Sequence, residues 1–302
     1  MGTNLVLSSR YGSSQADAIQ TENRTCSERR RTLAPMHASV TTRALAVHYG
    51  ERIALSGLDL EVSAPSTVAV IGPNGSGKST LLGVLAGLVT PSSGSATVAA
   101  PSTPALVLQS TTVDRSLPIT VRETVSLARL PRLGLIRRRT AADRRAVDSA
   151  MERLDVADLA DRQLHELSGG QRQRVFVAQG LAQESDVLLL DEPVTGLDMV
   201  SRTMILEVID QERAAGHLVM MTTHSLDDAG RCDHVLLLAT EPVAYGTPTQ
   251  VLTDEHLRAA FGNQLIRLDD GLLISEGLHH DHGHHDHGHH DHGHHDHGHH
   301  DH

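Results

Sequence analysis

The 302-residue sequence predicts an α/β fold with a parallel sheet at its centre, and three short apolar runs carry that expectation. Val68-Ala69-Val70-Ile71, Val187-Leu188-Leu189-Leu190 and Leu218-Val219-Met220-Met221-Thr222 are continuous rather than alternating, the pattern of strands buried on both faces. Each run ends in residues that carry chemistry: a glycine-rich loop follows Ile71, Asp191-Glu192 follows Leu190, and His224 stands just beyond Thr222. Open α/β sheets bind ligands at the carboxyl ends of their strands, so all three endings occupy one topological position.

The first ending is a phosphate-binding loop. Gly72-Pro73-Asn74-Gly75-Ser76-Gly77-Lys78-Ser79-Thr80 has the spacing G-x-x-x-x-G-K-[ST], with a strand before it and the helix-like Leu81-Leu82-Gly83-Val84-Leu85-Ala86 after it. Glycines let the backbone wrap an anion at a helix N-terminus, Lys78 would reach the β/γ-phosphates, and the Ser79 hydroxyl would ligate Mg²⁺. Lys78 is the only lysine of the chain, the other 25 basic residues being arginine. A compact ammonium suits a phosphate cradle, whereas a planar guanidinium does not.

Composition narrows the function classes. The net charge is −11, five units of it from aspartates at the C-terminus, and no long basic stripe is present, which argues against nucleic acid as a partner. Cys26 and Cys232 match no metal or redox spacing, and read as unpaired thiols of a reducing compartment. No run approaches the ~18 apolar residues of a membrane span, and no secretory signal pattern opens the chain.

Residues 1–38 are polar and aperiodic, and are expected to be a disordered extension, with Met36 an alternative start. From there Thr42–Tyr49 and Gly57–Val62 alternate as strands. Tyr49, at the end of the first, could stack on an adenine or simply pack on its neighbours. A helix is expected from the phosphate loop through about Gly87, then strands at Ala96–Val98 and Ala105–Leu108, the second delivering Gln109. A helical region over about 121–160 carries Arg137-Arg138-Arg139 and Arg144-Arg145, either a solvated face or a contact with a membrane partner or anionic lipid. Leu167-Ser168-Gly169-Gly170-Gln171 then opens a helix with Ser168 as its N-cap, a second anion-binding geometry. Asp191 is the candidate Mg²⁺ ligand and Glu192 the candidate for polarising an attacking water. A helix over about 200–214 precedes the third run, and His224 is a candidate γ-phosphate contact. Strands at Val235–Leu238 and Pro242–Gly246 and a helix near Asp254–Phe261 complete the domain.

Together these residues resemble the ATP-binding subunit of ABC transporters, over about residues 39–262 and with the motifs in the family's order. Gly72–Thr80 is similar to the Walker A loop, Gln109 to the Q-loop, Leu167–Gln171 to the signature motif, Val187–Glu192 to the Walker B strand, Gly196-Leu197-Asp198 to the D-loop and His224 to the switch histidine. Tyr49 resembles the family's adenine-stacking aromatic. The resemblance implies a P-loop NTPase core with an antiparallel β subdomain and an α-helical signature subdomain, here about residues 110–175 of an ATPase domain spanning 39–265. It implies catalytic roles for Glu192, His224 and Gln109, and Mg²⁺ ligation by Ser79, Gln109 and Asp191. ATP would contact Tyr49, the loop from Gly72 to Thr80, and Ser168, Gly169, Gly170, Gln171 and Asp198. It also implies a homodimer that sandwiches ATP between the Walker A of one subunit and the signature of the other, seated on integral-membrane permease subunits at the cytoplasmic face.

Within the family, Val113–Thr120, Gly134-Leu135-Ile136-Arg137-Arg138, Ala244–Pro248 and Val251-Leu252-Thr253 resemble the zinc/manganese branch of importers, which implies a metal-binding protein outside the membrane. Leu108 and Gln179-Gly180 depart from that branch. An importer of iron-siderophores or other chelates, and a soluble ABC-type ATPase without a permease, are the alternatives.

After a segment at 266–278, residues 279–302 repeat His-His-Asp-His-Gly and hold 15 of the 22 histidines. Such a tail builds no core but offers ligands for a transition metal. His279, His280, His282, His284, His285, His287, His289 and His290 are candidate Zn²⁺ ligands, with an expression tag or a plain solvated tail as the other readings. Tail and branch resemblance together make zinc the expected cargo, with manganese next.

Overall fold

The computed structural model describes residues 37–109, 118–130 and 140–262, and the backbone of two short strands at 265–268 and 271–274. Cys26, Met36, the Val113–Leu117 and Gly134–Arg139 stretches and the histidine-rich tail lie outside the described residues.

In chain order, β1 (Ser39–Tyr49), β2 (Arg52–Ser63) and β3 (Ser66–Ile71) lead into α1 (Lys78–Leu85), followed by β4 (Ser93–Ala99) and β5 (Ala105–Val107). Helices α2 (Val121–Leu127), α3 (Ala141–Arg153) and α4 (Gly169–Ala182) precede β6 (Val187–Leu190), α5 (Met199–Ala214), β7 (Leu218–Thr222) and α6 (Leu226–Gly230). The chain continues through β8 (His234–Ala239), β9 (Glu241–Gly246), α7 (Pro248–Val251), α8 (Asp254–Phe261), β10 (Leu265–Leu268) and β11 (Gly271–Ile274). One sheet has the order β5-β6-β7-β3-β8-β9, parallel except for β9. A separate antiparallel sheet has the order β2-β1-β4, and β10 pairs with β11.

The continuous apolar runs are explained by the two faces they serve. Val68 and Val70 of β3, Val187 and Leu189 of β6, and Leu218 and Met220 of β7 join one apolar cluster, shared with β1, β2 and α1. Their alternates Ala69, Ile71, Leu188, Leu190, Val219 and Met221 join a second cluster with α2, α3, α4 and α5. With both faces covered, the polar side chains of these strands are confined to their ends, Ser66 and Thr67 at the start of β3 and Thr222 at the end of β7.

Several elements differ from the sequence expectation: β1, β2 and β4 are longer than their alternating cores, β2 beginning at Arg52 rather than Gly57, and three further differences follow. The helix after the phosphate loop ends at Leu85, where Gly87 takes the left-handed φ of 75° that stops it. β5 ends at Val107, so Gln109 lies on the segment leaving the sheet. The helical region expected over 121–160 contains two described helices, each opened by its own capping box, Thr120 with Glu123 and Thr140 with Asp143.

A buried arginine ties these helices together. Arg129 donates to Asp143 Oδ1 at 3.0 Å, to the Ala182 carbonyl at 2.8 Å and to Glu184 Oε2 at 2.7 Å, joining the end of α2 to the start of α3 and the end of α4. Hydrogen bonds from the Thr140 hydroxyl and amide, and then Arg129, hold the Asp143 carboxyl at about 2. A depressed carboxylate contributes stability that is complete above its unfolded value of ~3.9 and is lost as pH falls through its folded value. Asp143→Asn is therefore expected to lower the urea midpoint at neutral pH, with the deficit shrinking as pH falls below about 4. A deficit constant across that range would assign the effect to packing instead.

Candidate nucleotide site

At the carboxyl end of β3 the chain turns through Gly72, Gly75 and Gly77, with φ of 154°, 82° and 97°. Here the absence of side chains is a steric requirement: a Cβ on Gly72 would lie 2.0 Å from the Leu238 carbonyl oxygen, and one on Gly77 2.3 Å from that of Ala54. Gly77 stands at the N-cap of α1, and no side chain caps the helix, so its first-turn N–H groups are not claimed that way. Lys78 is buried and folds back along the loop, donating from Nζ to the carbonyls of Gly72 at 2.8 Å and Pro73 at 3.2 Å. Ser76 Oγ is buried without a protein hydrogen-bond partner.

A cleft opens over this loop, walled on one side by Asn74, Gly75, Gly77, Lys78, Ser79 and Thr80. Tyr49, Arg52, Ala54 and Glu192 form the other side, with Tyr49 half exposed. Glu192 follows β6 in a left-handed backbone conformation, φ 47°, uncommon for a residue with a Cβ. Its carboxylate is held from two directions: Gln109 Nε2 donates to Oε2 at 2.9 Å, and His224 Nε2 hydrogen-bonds Oε1 at 2.5 Å. That histidine bond is the largest cause holding the Glu192 pKa below the ordinary carboxylate value; burial opposes it, and the charges of His224 and Lys78 assist. Next to it, Thr222 at the end of β7 accepts from the Glu192 amide at 2.8 Å and donates to Asp191 Oδ1 at 2.6 Å. The strand ends thus deliver Asp191, Glu192 and His224 as one hydrogen-bonded group.

Ser168, Gly169, Gly170, Gln171 and Asp198 are not among the cleft-lining residues. They belong to a second cluster, built around two helix starts. Ser168 Oγ accepts from the Gln171 amide at 3.2 Å and Gln171 Oε1 accepts from the Ser168 amide at 3.1 Å, capping α4. Asp198 caps α5, accepting from the Ser201 amide and hydroxyl, each at 2.9 Å; those bonds lower its pKa. The two starts touch, since a Cβ on Gly170 would lie 2.4 Å from Asp198 Oδ2 and 2.6 Å from Ser201 Oγ.

Sequence reasoning passed over Arg52, Ala54 and Thr222. Arg52 and Ala54 reach the cleft because the start of β2 lies over the loop, which no local pattern announces. Thr222 had a signal, as a hydroxyl closing an apolar strand two residues before His224.

A family model described as ABC transporter matches residues 55–195. The manganese transport system ATP-binding protein MntB of Listeria monocytogenes is 34% identical over 237 residues, an alignment that spans 76% of this chain and 99% of that protein. The chain belongs to the ABC transporter family. The chelated iron transport system membrane protein YfeB of Yersinia pestis is 36% identical over 223 residues, covering 71% of this chain and 74% of YfeB. Among solved structures, a metal-chelate type ABC transporter in an inward-facing conformation is similar with a TM-score of 0.68 and 27% identity, over 78% of this chain and 95% of that one. The parallel sheet with its separate antiparallel sheet is the ABC ATPase fold, and the chain is accordingly an ATPase using ATP and Mg²⁺.

The residues of this ABC ATPase fit that chemistry. Glycine contacts that exclude a Cβ, an unpartnered Ser76 hydroxyl and a buried ammonium suit a polyphosphate. Of the three residues expected to hold a hard cation by oxygen, Ser79 lines the cleft, while Asp191 and Gln109 do not line it and are tied to it through Thr222 and Glu192. Among the described residues no three His, Cys, Asp or Glu side chains are grouped to hold a metal ion, and no helix is long and apolar enough to cross a membrane.

Proposed function

We propose that the chain is the ATP-hydrolysing subunit of an importer for a divalent transition metal, manganese or zinc. The observation that carries this reading is similarity over almost the full length of a protein named for manganese transport, supported by similarity to one named for chelated iron. Zinc, the cargo expected first from the tail, is named by neither of these relatives, so manganese and zinc stand together as the two cargoes to test.

In this proposal the ATPase domain spans 39–265, with its helical part over about 110–175. Lys78 and the loop amides bind the β/γ-phosphates, Tyr49 stacks on the adenine, and Ser79, Asp191 and Gln109 hold Mg²⁺. Bound there, the cation would neutralise charge on the phosphates. Glu192, kept ionised, accepts the proton of the attacking water, and His224 holds its carboxylate in place while contacting the γ-phosphate. Ser168, Gly169, Gly170, Gln171 and Asp198 serve the cleft of a second copy, which accounts for their absence from this chain's own cleft. The dimer sits on the cytoplasmic face of permease subunits, supplied by a metal-binding protein on the far side. The tail histidines from His279 to His290 bind Zn²⁺, weakening as imidazoles protonate near pH ~6.5.

Uptake of radioactive manganese and zinc by cells carrying the chain with its permease tests the reading. ATP-dependent accumulation of at least one metal, lost when Glu192 is replaced by Gln, is the expected result. Equal accumulation with and without the chain would refute it. Deleting residues 279–302 is expected to remove the zinc dependence of ATPase activity and to leave the zinc-free rate unchanged.

A further inference from the structure

The hairpin joining β1 to β2 brings to the nucleotide cleft a cation that the roles assigned above leave unused. Tyr49, the last residue of β1, pairs directly with Arg52, the first of β2, across the two-residue turn Gly50-Glu51, where Gly50 has a φ of 61°. Residues directly opposite one another in an antiparallel pair project from the same face, and residues two apart along a strand share that face. Tyr49, Arg52 and Ala54 accordingly all line the cleft, whereas Ile53 does not and is half exposed.

Two close approaches seat this hairpin on the phosphate loop. The Ala54 carbonyl lies against Gly77, and Arg52 Nη2 lies 3.2 Å from the point where a Cβ on Gly75 would stand. The guanidinium therefore reaches the middle of the loop. It is also uncommitted, since Arg52 makes no hydrogen bond or ion pair with any described residue. The other two charged groups lining the cleft are already held: Lys78 donates to the carbonyls of Gly72 and Pro73, and the Glu192 carboxylate is bonded by Gln109 and His224.

We propose that Arg52 is a binding residue for the polyphosphate of the nucleotide, donating to phosphate oxygens where they pass Gly75. The inference rests on the cleft being the ATP site. Lys78 serves the inside of the loop, where a compact ammonium fits; on the open side of the cleft a planar guanidinium has room to meet phosphate oxygens two at a time. A polyphosphate here also meets the ionised Glu192, and Arg52 and Lys78 are the two positive side chains of the lining that offset it. No hydrogen bond links Arg52 to Glu192, Gln109 or His224, so its contact is made alike with bound nucleotide and with the transition state. Such a residue sets affinity and leaves turnover alone.

The test is calorimetric binding of ADP and of inorganic tripolyphosphate to the full chain, alongside steady-state ATP hydrolysis. Arg52→Ala should weaken both ligands roughly tenfold or more, the weight of a hydrogen bond to a charged group, and raise KM for ATP in proportion with kcat unchanged. Binding by the variant should depend less steeply on salt than binding by the parent. Arg52→Lys, which keeps the charge and loses the fork, should fall between the two. Arg43→Ala is the control: that arginine lies in the same sheet, is paired with Glu61 and should keep parental values. The proposal is overturned if Arg52→Ala binds both ligands as the parent does. Weakened ADP with unchanged tripolyphosphate would overturn it in favour of a contact to the base or sugar, and a lower kcat at unchanged KM would overturn it in favour of an effect through Glu192. A parental chain that binds neither ligand would instead refute the cleft as the nucleotide site, and this inference with it.

Discussion

Glu192→Gln is expected to bind ATP as the parent does and to lower turnover by about 10²–10⁴-fold, the usual weight of a general base. The substitution keeps shape and backbone and removes the charge. It acts on a group that His224 and Gln109 already hold by each carboxylate oxygen, so positioning should survive while proton acceptance is lost. The depressed pKa of Glu192 adds a second expectation. The carboxylate remains ionised below its ordinary titration range, so the acid limb of the parental pH–rate profile should not fall at an ordinary glutamate value. Equilibrium ATP binding alongside steady-state hydrolysis separates the two effects, and near-parental hydrolysis by the variant would remove Glu192 from the role.

Gly77→Ala is expected to weaken nucleotide binding by roughly 30-fold to 10⁴-fold, through a backbone collision rather than lost chemistry. Its Cβ would stand 2.3 Å from the Ala54 carbonyl oxygen, and a carbonyl in β2 cannot rotate aside as a side-chain tip can. Overpacking of this kind costs about 1–3 kcal/mol, and the left-handed backbone at φ 97° adds on the order of 1–3 kcal/mol for a residue with a Cβ. If that strain is relieved by distorting the loop, affinity falls by roughly ten-fold for each ~1.4 kcal/mol. Gly87→Ala is the control, since Gly87 also has positive φ, 75°, but open space where a Cβ would go. It should lose stability modestly and keep its affinity for ATP. Equal loss of affinity in both variants would show that conformation alone, without the collision, sets the requirement.

What the sequence made legible was whatever chemistry repeats at short range. Val68–Thr80 declares strand, loop and helix within thirteen consecutive positions, and Val187–Glu192 declares a buried strand and its carboxylates within six. Features that arise from distant segments meeting were not legible. The Thr222 bridge to Asp191 and Glu192 exists because β6 and β7 pair in parallel with Leu190 opposite Met221. The contact of Gly170 with Asp198 likewise depends on how α4 meets α5, and neither helix start encodes its neighbour. Two helix starts within 121–160 were readable, since the capping boxes at Thr120 and Thr140 are local, but helical periodicity obscured them.

Lys78 has one further consequence, for anyone handling the protein. Its ε-amine is the one side-chain primary amine of the sequence, and it lies buried against the phosphate loop, so reagents strictly selective for amines have a single and slowly reached side-chain target. In most proteins such reagents decorate a surface rich in lysine. Here a side-chain amine that does react lies on the phosphate loop itself, so each such event should cost nucleotide binding.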